Sequence, residues 1–561
     1  MATVVDRPKP ARRLPPGQQR PERQRNPRLI GTVYLLAPLF ATLASVFAVA
    51  AAVVAIALNV GSGPAPPATG AASLVPANAL LYLNISTDST RPSVQQAIAR
   101  VRRLPGTRPL VAALTGRLDA LLSGSGASAV DFATGVRPWL GPEVAFAVLN
   151  TPGSAAGTLI ALDVTNRTRA RAFLFAHGAT PAGSDRGVQL LREPSGTTLA
   201  FLGHYLVLGQ PASVAAAIDV AGGRAHSLSA SAGYQQAAAG EPAGRVIDFY
   251  APAAGIRRAL VPSQGLLGAL GAVLDQPALS AVTVAVSPAA GGFSARVHSE
   301  LAGAASTSAP QFAPSLAAAL PAGTMMLLDA RNLRGAAARL LAAAARLGIA
   351  GRAPALLSRL GAALVSEGVN LRRFFSIFGP ESALAIVPGL DGSAPAPVLV
   401  GRSPDPAVAL NELSALEAPL TQAFTPPSSG GVVPEVGAAT LGRATVSELT
   451  LAPGFQLDWA VSHRLVVVST SPGAVAAVIS HGASLSGERA YKTAVEGLPS
   501  QVTSLVFFDL GPLLRLGSRS GFLSGTTFGA LRPELPQIRT IALATTTGES
   551  ETTTQLHLQI R

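Results

Sequence analysis

An internal duplication is the feature that most constrains the fold, because the chain must build one unit twice from comparable segments. The first copy opens with LVPANALLYLNI from Leu74, and the second opens with ALPAGTMMLLDA from Ala319. Each opening places a proline before an apolar strand, and five matched blocks occur in the same order in both copies. We therefore predict two tandem repeats, residues 74–300 and 317–561, joined by a linker at 301–316.

The clearest matched block is a Gly-Pro-Glu motif that precedes an apolar strand. It ends at Glu143 in the first copy and at Glu381 in the second. Because glycine and proline both favour turns, the motif predicts a turn immediately before each strand. The glutamates could form a paired-carboxylate site only if they converged in space. The favoured interpretation is that each one accepts hydrogen bonds from turn amides or pairs with an arginine.

A second matched block contains two strands joined by only two residues. These are Gly203-His204 in the first copy and Ser462-His463 in the second. Two residues are the usual length of a tight β-hairpin connection. A helix that opens with a proline follows each hairpin. Since strands pair as hairpins as often as they alternate with helices, we predict an α+β fold. Each repeat is expected to be a mainly antiparallel sheet with helices packed on one face.

The N-terminal region predicts a membrane anchor. Residues 29–59 are almost entirely apolar, and about 20 such residues in a helix span a bilayer. Residues 1–28 hold eight lysines and arginines against Asp6 and Glu22, a net charge of +6, whereas the Gly/Pro/Ala linker at 60–73 has no charge. By the positive-inside rule, residues 1–28 form a disordered cytoplasmic tail. The chain is then a single-pass protein of the cell membrane with its bulk outside the cytoplasm, and membrane lipid contacts the helix.

The alternative for this region is a cleaved signal peptide. Small residues in the pattern of a cleavage site occur at Ala48-Val49-Ala50. A secretory signal, however, has an apolar region of only about 7–15 residues after a short basic region. Both regions are much longer here, so an uncleaved anchor is favoured.

Charge and cysteine content exclude several classes of protein. The net charge of +13 includes the +6 of the first 28 residues, and the remainder is spread over more than 500 residues. That diffuse distribution, without a basic stripe containing aromatic residues, argues against nucleic-acid binding. The chain has no cysteine, which excludes disulfides, thiol catalysis and cysteine-ligated zinc.

Motifs for known catalytic chemistry are missing from the sequence. It has no phosphate-binding glycine loop with a lysine, no nucleophile elbow and no HExxH helix. His204 and His463 recur in the hairpin, but neither has an acidic partner nearby in sequence, so turn residues are the favoured interpretation. Trp139 and Trp459 are expected to be core or sheet-surface rings. We predict no catalytic, cofactor-binding or metal-binding residues and no cofactor, and we assign no binding residues.

The order of these motifs resembles the DUF3352 family of bacterial, mainly actinobacterial, envelope proteins of unknown function. The residues that carry the resemblance are Pro76 to Leu83, Gly141 to Glu143, Tyr205 to Ile218 and Leu228 to Tyr234. The second copy matches more loosely, with Gly323 in place of Asn78 and Arg464 in place of Tyr205. The resemblance implies a fold and a compartment outside the cytoplasm. It implies no activity, ligand or catalytic residue.

Three functions remain open from the sequence. The leading one is a non-enzymatic binding or scaffold protein of the cell envelope, with a lipid or another apolar ligand as one version. The second is an envelope hydrolase with an unfamiliar site, which would show a polar cleft with clustered Glu, Asp and His. The third is a protein-interaction module, which a large exposed apolar patch would indicate.

Overall fold

The structure is a computed structural model. The residues that it describes are 67–101, 132–150, 157–262, 271, 274–275, 278–302, 310–331, 366, 371–390, 394–423, 434–442, 444–452, 455–480, 482–519 and 535–560. The predicted cytoplasmic tail and membrane helix lie outside these ranges. Within them, no helix combines the length and the apolar content that crossing a membrane requires.

Ten strands of the first half form a wholly antiparallel arrangement. Their spatial order is β4-β5-β6-β7-β3-β2-β1-β8-β9-β10. The strands are β1 (Ala79–Ser86), β2 (Leu140–Leu149), β3 (Gly157–Val164), β4 (Thr180–Asp185), β5 (Val188–Arg192), β6 (Thr198–Leu202), β7 (Tyr205–Gly209), β8 (Ile247–Pro252), β9 (Leu279–Ala289) and β10 (Gly292–Leu301).

Ten strands of the second half repeat that order, as β14-β15-β16-β17-β13-β12-β11-β18-β19-β20. The predicted combination of a large antiparallel sheet with helices is confirmed. The strands are β11 (Met326–Ala330), β12 (Ser382–Val387), β13 (Ala396–Arg402), β14 (Glu435–Leu441), β15 (Ala444–Ala452), β16 (Phe455–Ser462), β17 (Leu465–Ser469), β18 (Ser504–Asp509), β19 (Ile538–Thr547) and β20 (Glu551–Ile560).

The strand registers agree as well as the strand order. Asn84 of β1 lies opposite Ala145 of β2. Asp329 of β11 lies opposite Ala383 of β12. Each of these alanines is two residues after the glutamate of its Gly-Pro-Glu motif, so the two motifs occupy the same place in the two halves.

A seam between β10 and β20 joins the two halves into one sheet of 20 strands. Arg296 of β10 lies opposite Gln555 of β20. Arg296 also faces Ala285 across the β9–β10 hairpin, and Gln555 faces Ala544 across the β19–β20 hairpin. Arg296 and Gln555 are therefore equivalent positions. Because the two strands run antiparallel, a local two-fold relation passes through this pair.

The helices follow the duplication too. Helices α2 and α7 begin in the same way, after Asn166 or Asp405, whose side chains accept the first free backbone amides. The helices are α1 (Pro92–Val101), α2 (Arg167–Ala176), α3 (Pro211–Ala221), α4 (Ala232–Ala238), α5 (Ala253–Gly255), α6 (Leu371–Ser376), α7 (Pro406–Ser414), α8 (Glu417–Ala423), α9 (Pro472–Ser480), α10 (Arg489–Val495) and α11 (Leu510–Arg519). Short 3₁₀-helices occupy Gly70–Ser73, Leu228–Ala230, Leu316–Ala318, Leu485–Gly487 and Leu535–Gln537, and π-helical turns occupy Phe132–Val136 and Ile256–Leu260.

Helices pack on both faces of the sheet, so the prediction of helices on one face is wrong. Leu206 and Leu208 of β7 pack in one apolar cluster with α1 and α2, while Val207 between them packs in another with α3 and α4. The residues of β17 divide in the same way between a cluster with α7 and α8 and a cluster with α9 and α10. The nearly continuous apolar sequences YLVLG and LVVVS reflect this burial, because a strand covered on both faces shows no polar alternation.

The hairpin turns correct a second prediction. Gly203 and His204 join β6 to β7 as expected, but the second turn is His463-Arg464, because Ser462 still pairs with β17. His463 and Arg464 have φ values of 48° and 70°, as a type I′ turn requires, and Gly203 has a φ of 58°. His204 is therefore equivalent to Arg464, and the two histidines do not occupy the same position.

Two segments that the sequence predicts to be linkers take part in the fold at their ends. The 3₁₀-helix Gly70–Ser73 packs with the apolar cluster that contains α3. Phe312 is buried and forms an isolated bridge with Val502. Ordered structure thus begins a few residues before the predicted start of each repeat.

Candidate functional site

Glu143 lies in the middle of a buried carboxylate cluster in the first half. Its oxygens accept hydrogen bonds from the backbone N–H of Ala71 at 3.1 and 3.2 Å and from the hydroxyl of Tyr205 at 2.6 Å. The side chain is fully buried. Burial raises the pKa of Glu143, and the hydrogen bonds from Tyr205 and Ala71 oppose that rise. The partner amide belongs to a 3₁₀-helix 72 residues upstream, so the carboxylate attaches that helix to the sheet.

The glycine of the motif is required by a close approach. A Cβ atom on Gly141 would lie 2.6 Å from Cγ of Asp163, which is closer than real side chains approach. Burial raises the pKa of Asp163, while His204 lowers it. The His204 side chain is two-thirds exposed, and its Nε2 lies 3.9 Å from Oδ1 of Asp163. The structure thus places the His204 side chain at the surface, beside Asp163.

The second half contains an equivalent cluster around Glu381. The carboxylate accepts the backbone N–H groups of Ser315 at 2.6 Å and Leu316 at 3.1 Å, and the hydroxyl of Ser315 at 2.7 Å. Arg402 donates to the same hydroxyl at 3.4 Å. Glu143 and Glu381 therefore bind backbone amides within their own halves and do not form a paired-carboxylate site.

The two clusters differ at the position shared by Asn84 and Asp329, and both residues are buried. The amide nitrogen of Asn84 donates to the carbonyl of Ala68 at 2.8 Å. Asp329 brings a second carboxyl group beside Glu381. Burial first, and then the negative charge of Glu381, raise the pKa of Asp329 to about 9. A pKa this high favours the protonated form of Asp329 at neutral pH, and among the described residues neither of its oxygens has a hydrogen-bond partner.

The two tryptophans lie in the core, which confirms the core interpretation. Trp139 and Trp459 are each 1% exposed. Trp139 donates from Nε1 to the carbonyl of Gly135 at 2.7 Å, and its ring centroid is 5.7 Å from that of Phe173. Neither ring is available as a surface for binding a ligand.

A third polar cluster was not predicted from the sequence. Arg245 forms ion pairs with Glu241 at 3.0 Å and with Asp248, and the guanidinium of Arg91 donates to the carbonyl of Arg245 at 3.0 Å. Burial is the largest cause of a raised pKa at both Glu241 and Asp248. The equivalent of Asp248 in β18 is Leu505, because these two residues face Asn84 and Asp329 respectively. Because the second half has leucine at this position, the residues common to both repeats do not reveal this cluster.

Metal binding has no support from the described side chains. Across these ranges, no group of three or more His, Asp or Glu residues is arranged to hold a metal ion. Glu143 and Glu381 instead accept hydrogen bonds from backbone amides and hydroxyl groups, and Glu241 and Asp248 pair with Arg245.

Comparisons with known proteins identify a family and no activity. A family model described as a protein of unknown function, DUF3352, matches residues 39–561. Among solved structures, crystal form III of TP0453 is 9% identical with a TM-score of 0.26, covering 41% of this chain and 78% of that chain. Crystal form IV of TP0453 is 10% identical with a TM-score of 0.24, covering 41% of this chain and 83% of that chain. No curated protein matches the chain.

Proposed function

The chain belongs to the DUF3352 family of proteins of unknown function, and we propose that it is a membrane-anchored protein of the cell envelope that binds a ligand or acts as a scaffold. In this proposal a single membrane helix at residues 29–59 holds two tandem repeats outside the cytoplasm. The proposed role is non-enzymatic, and an envelope hydrolase or a protein-interaction module is the alternative. The membrane lipid around the helix is its one assigned partner.

The observation that carries the non-enzymatic proposal is the use of the recurrent carboxylates. A general acid or base must come within hydrogen-bond distance of its substrate. Glu143 is fully buried, and Ala71 and Tyr205 occupy its oxygens. Glu381 is similarly bonded to two backbone amides and a hydroxyl. These contacts support a structural role for the two residues that the sequence marks most strongly.

The membrane anchor is supported by charge and by length. The predicted helix has +6 on its N-terminal side and no charge on the following linker. Ten residues, 60–69, separate the predicted end of the span from the 3₁₀-helix Gly70–Ser73. Ten residues extend at most roughly 35 Å, so the folded part is held close to the bilayer surface.

Reporter fusions test this topology. A reporter that works only outside the cytoplasm should be active when fused after Gly63 and after Arg561, and a reporter that works only in the cytoplasm should be inactive at both sites. Removal of residues 29–59 should release the protein from the membrane fraction. Cytoplasmic reporter activity at Arg561 would overturn the proposed orientation.

A further inference from the structure

A pocket of about 190 Å³ lies beside the seam between the two halves. It is lined by the end of α4 and the segment after it, by β9 and β10 of the first half, and by β20 of the second half. A cavity of about 150 Å³ is large enough to hold benzene. The residues that line this seam pocket are Ala237, Ala239, Gly240, Glu241, Thr283, Ala285, Arg296, His298 and Thr553.

The wall of the seam pocket has an apolar part and a polar part. Ala237 and Ala285 are buried, while Ala239 and Gly240 are exposed, so the pocket opens to solvent. Arg296 brings a guanidinium group to the polar wall, where it donates to the carbonyl of Gly240 at 3.3 Å. Among the described side chains, no carboxylate forms an ion pair with Arg296. The pocket wall therefore carries a cation that an anionic ligand could neutralise.

The carboxyl groups near the seam pocket do not cancel this charge. Glu241, the carboxyl group in the lining, is paired with Arg245 at 3.0 Å, and burial raises its pKa, so its negative charge is already opposed within its own cluster. Glu551 lies outside the lining, and its side chain is 59% exposed and therefore screened by solvent. It is 3.8 Å from Nε2 of His298, whose Nδ1 lies 3.1 Å from the hydroxyl of Thr553. Burial raises the pKa of Glu300, which faces Glu551 across the seam.

The second half provides an internal comparison, because the two-fold relation places an equivalent position on the other side of the seam. Gln555 stands there in place of Arg296, and Leu498, in place of Glu241, packs against an apolar core cluster. His557 takes the place of His298. Burial lowers the pKa of His557, whose ring lies near the backbone of Ala494 and Glu496. The arginine that could pair with an anion therefore occurs in the first half only.

We propose that the seam pocket binds a small organic carboxylate, whose charged group pairs with Arg296 and whose apolar body lies against the alanines. This inference deepens the proposed function, since it names the site and the class of ligand. Each of the two proposals can be disproved without disproving the other. The reporter fusions test the anchor, and a ligand titration tests the pocket.

The test is isothermal titration of the full chain in detergent with three probes of similar shape: benzoate, benzamide and benzylammonium. Benzoate should bind, and benzamide and benzylammonium should bind at least tenfold more weakly. Arg296→Gln, which copies the residue of the second half, should weaken benzoate binding at least tenfold. Arg539→Gln, an exposed arginine on the neighbouring strand β19, is the matched control and should leave benzoate binding unchanged.

A second variant keeps the test valid if Arg296→Gln does not fold. Ala239→Phe changes an exposed residue of the pocket wall and introduces no charge, and it should also weaken benzoate binding. Three outcomes would overturn the proposal: no benzoate binding up to about 10 mM, equal binding of benzoate and benzamide, or tighter binding of benzylammonium. Unchanged benzoate binding by a folded Arg296→Gln would overturn it too.

Discussion

Glu143 and Glu381 accept a hydrogen bond from the same backbone position in the two halves of the molecule. Glu143 binds the amide of Ala71, and Glu381 binds the amide of Leu316. Each amide belongs to the 3₁₀-helix that begins its half. The Gly-Pro-Glu motif is thus an attachment point between the first turn of each half and the middle of its sheet.

The first prediction concerns the stability that Glu143 provides. Glu143→Ala leaves the N–H of Ala71 and the hydroxyl of Tyr205 buried without an acceptor, and each such group costs about 1–3 kcal/mol. We expect a loss of about 2–4 kcal/mol in the free energy of unfolding, measured by urea denaturation. Glu143→Gln retains one acceptor oxygen and should lose less while remaining folded. The exposed Glu435 on β14 provides the control Glu435→Ala, and equal losses for the two alanine variants would contradict the attachment role.

The second prediction concerns the pH dependence contributed by Asp329. Its pKa is about 9 in the folded protein, against an ordinary value of 3.8. Between these values the folded state holds a proton that the unfolded state has released, so stability falls as pH rises through this range. The slope for one proton is at most about 1.4 kcal/mol per pH unit.

Asp329→Asn tests this dependence, because asparagine already occupies the equivalent position, Asn84. The variant should be more stable than the natural protein at pH 8, and its unfolding free energy should depend less on pH between 5 and 8. Urea denaturation across that range measures both effects. Asp185→Asn on the edge strand β4 is the control. The same slope for Asp329→Asn and the natural protein would show that Asp329 is ionised in the fold.

The third prediction isolates the backbone of the first hairpin turn. Gly203 has a φ of 58°, and nothing lies within 4 Å of the position where a Cβ would be added. Gly203→Ala should therefore cost about 1–2 kcal/mol from left-handed backbone strain alone. Gly244 has the same open surroundings without a left-handed backbone, so Gly244→Ala should cost much less. Thermal unfolding of the two variants provides the comparison, and equal melting temperatures would contradict the turn geometry.

The fourth prediction is that the two halves unfold together. Phe293 of β10 is 5% exposed and belongs to an apolar cluster that contains residues from both halves. Phe293→Ala should cost about 3–5 kcal/mol. Hydrogen exchange should increase in strands of the second half as well as the first. Phe375→Ala, at a phenylalanine that is 42% exposed, is the control. Faster exchange restricted to the first half would show that the halves are independent.

Recurring features of the sequence were enough to predict the strand and helix order around β1, β2, β6 and β7 and their counterparts. The hairpins β4–β5 and β14–β15 were missed. Residues 180–184 of β4 are all exposed, so the strand has no apolar alternation from which it could be predicted. The one-residue error in the second turn arose because His463 and Arg464 adopt left-handed conformations without a glycine to indicate them.

From the sequence, the candidate site could be predicted only at the residues that occur in both repeats. Glu143 and Glu381 stood out because they are repeated, whereas Glu241 and Arg296 are not. Their place in a pocket depends on burial and on the pairing of β10 with β20. Strands that pair across some 250 residues of sequence give no local sequence pattern from which the pairing could be predicted. Function therefore has to be sought where the two halves differ.

The seam also gives the chain the geometry of a two-fold dimer whose two subunits are covalently joined. A single half would leave β10 as an open edge, and two identical halves joined along that edge would carry every surface feature twice. In a single fused chain the two halves need not be identical, because each half can acquire its own substitutions. Glu241 where the second half has Leu498, and Arg296 where it has Gln555, are such departures from symmetry. They give one side of the seam an arginine and a carboxyl group that the other side lacks, which a homodimer of this fold could not achieve.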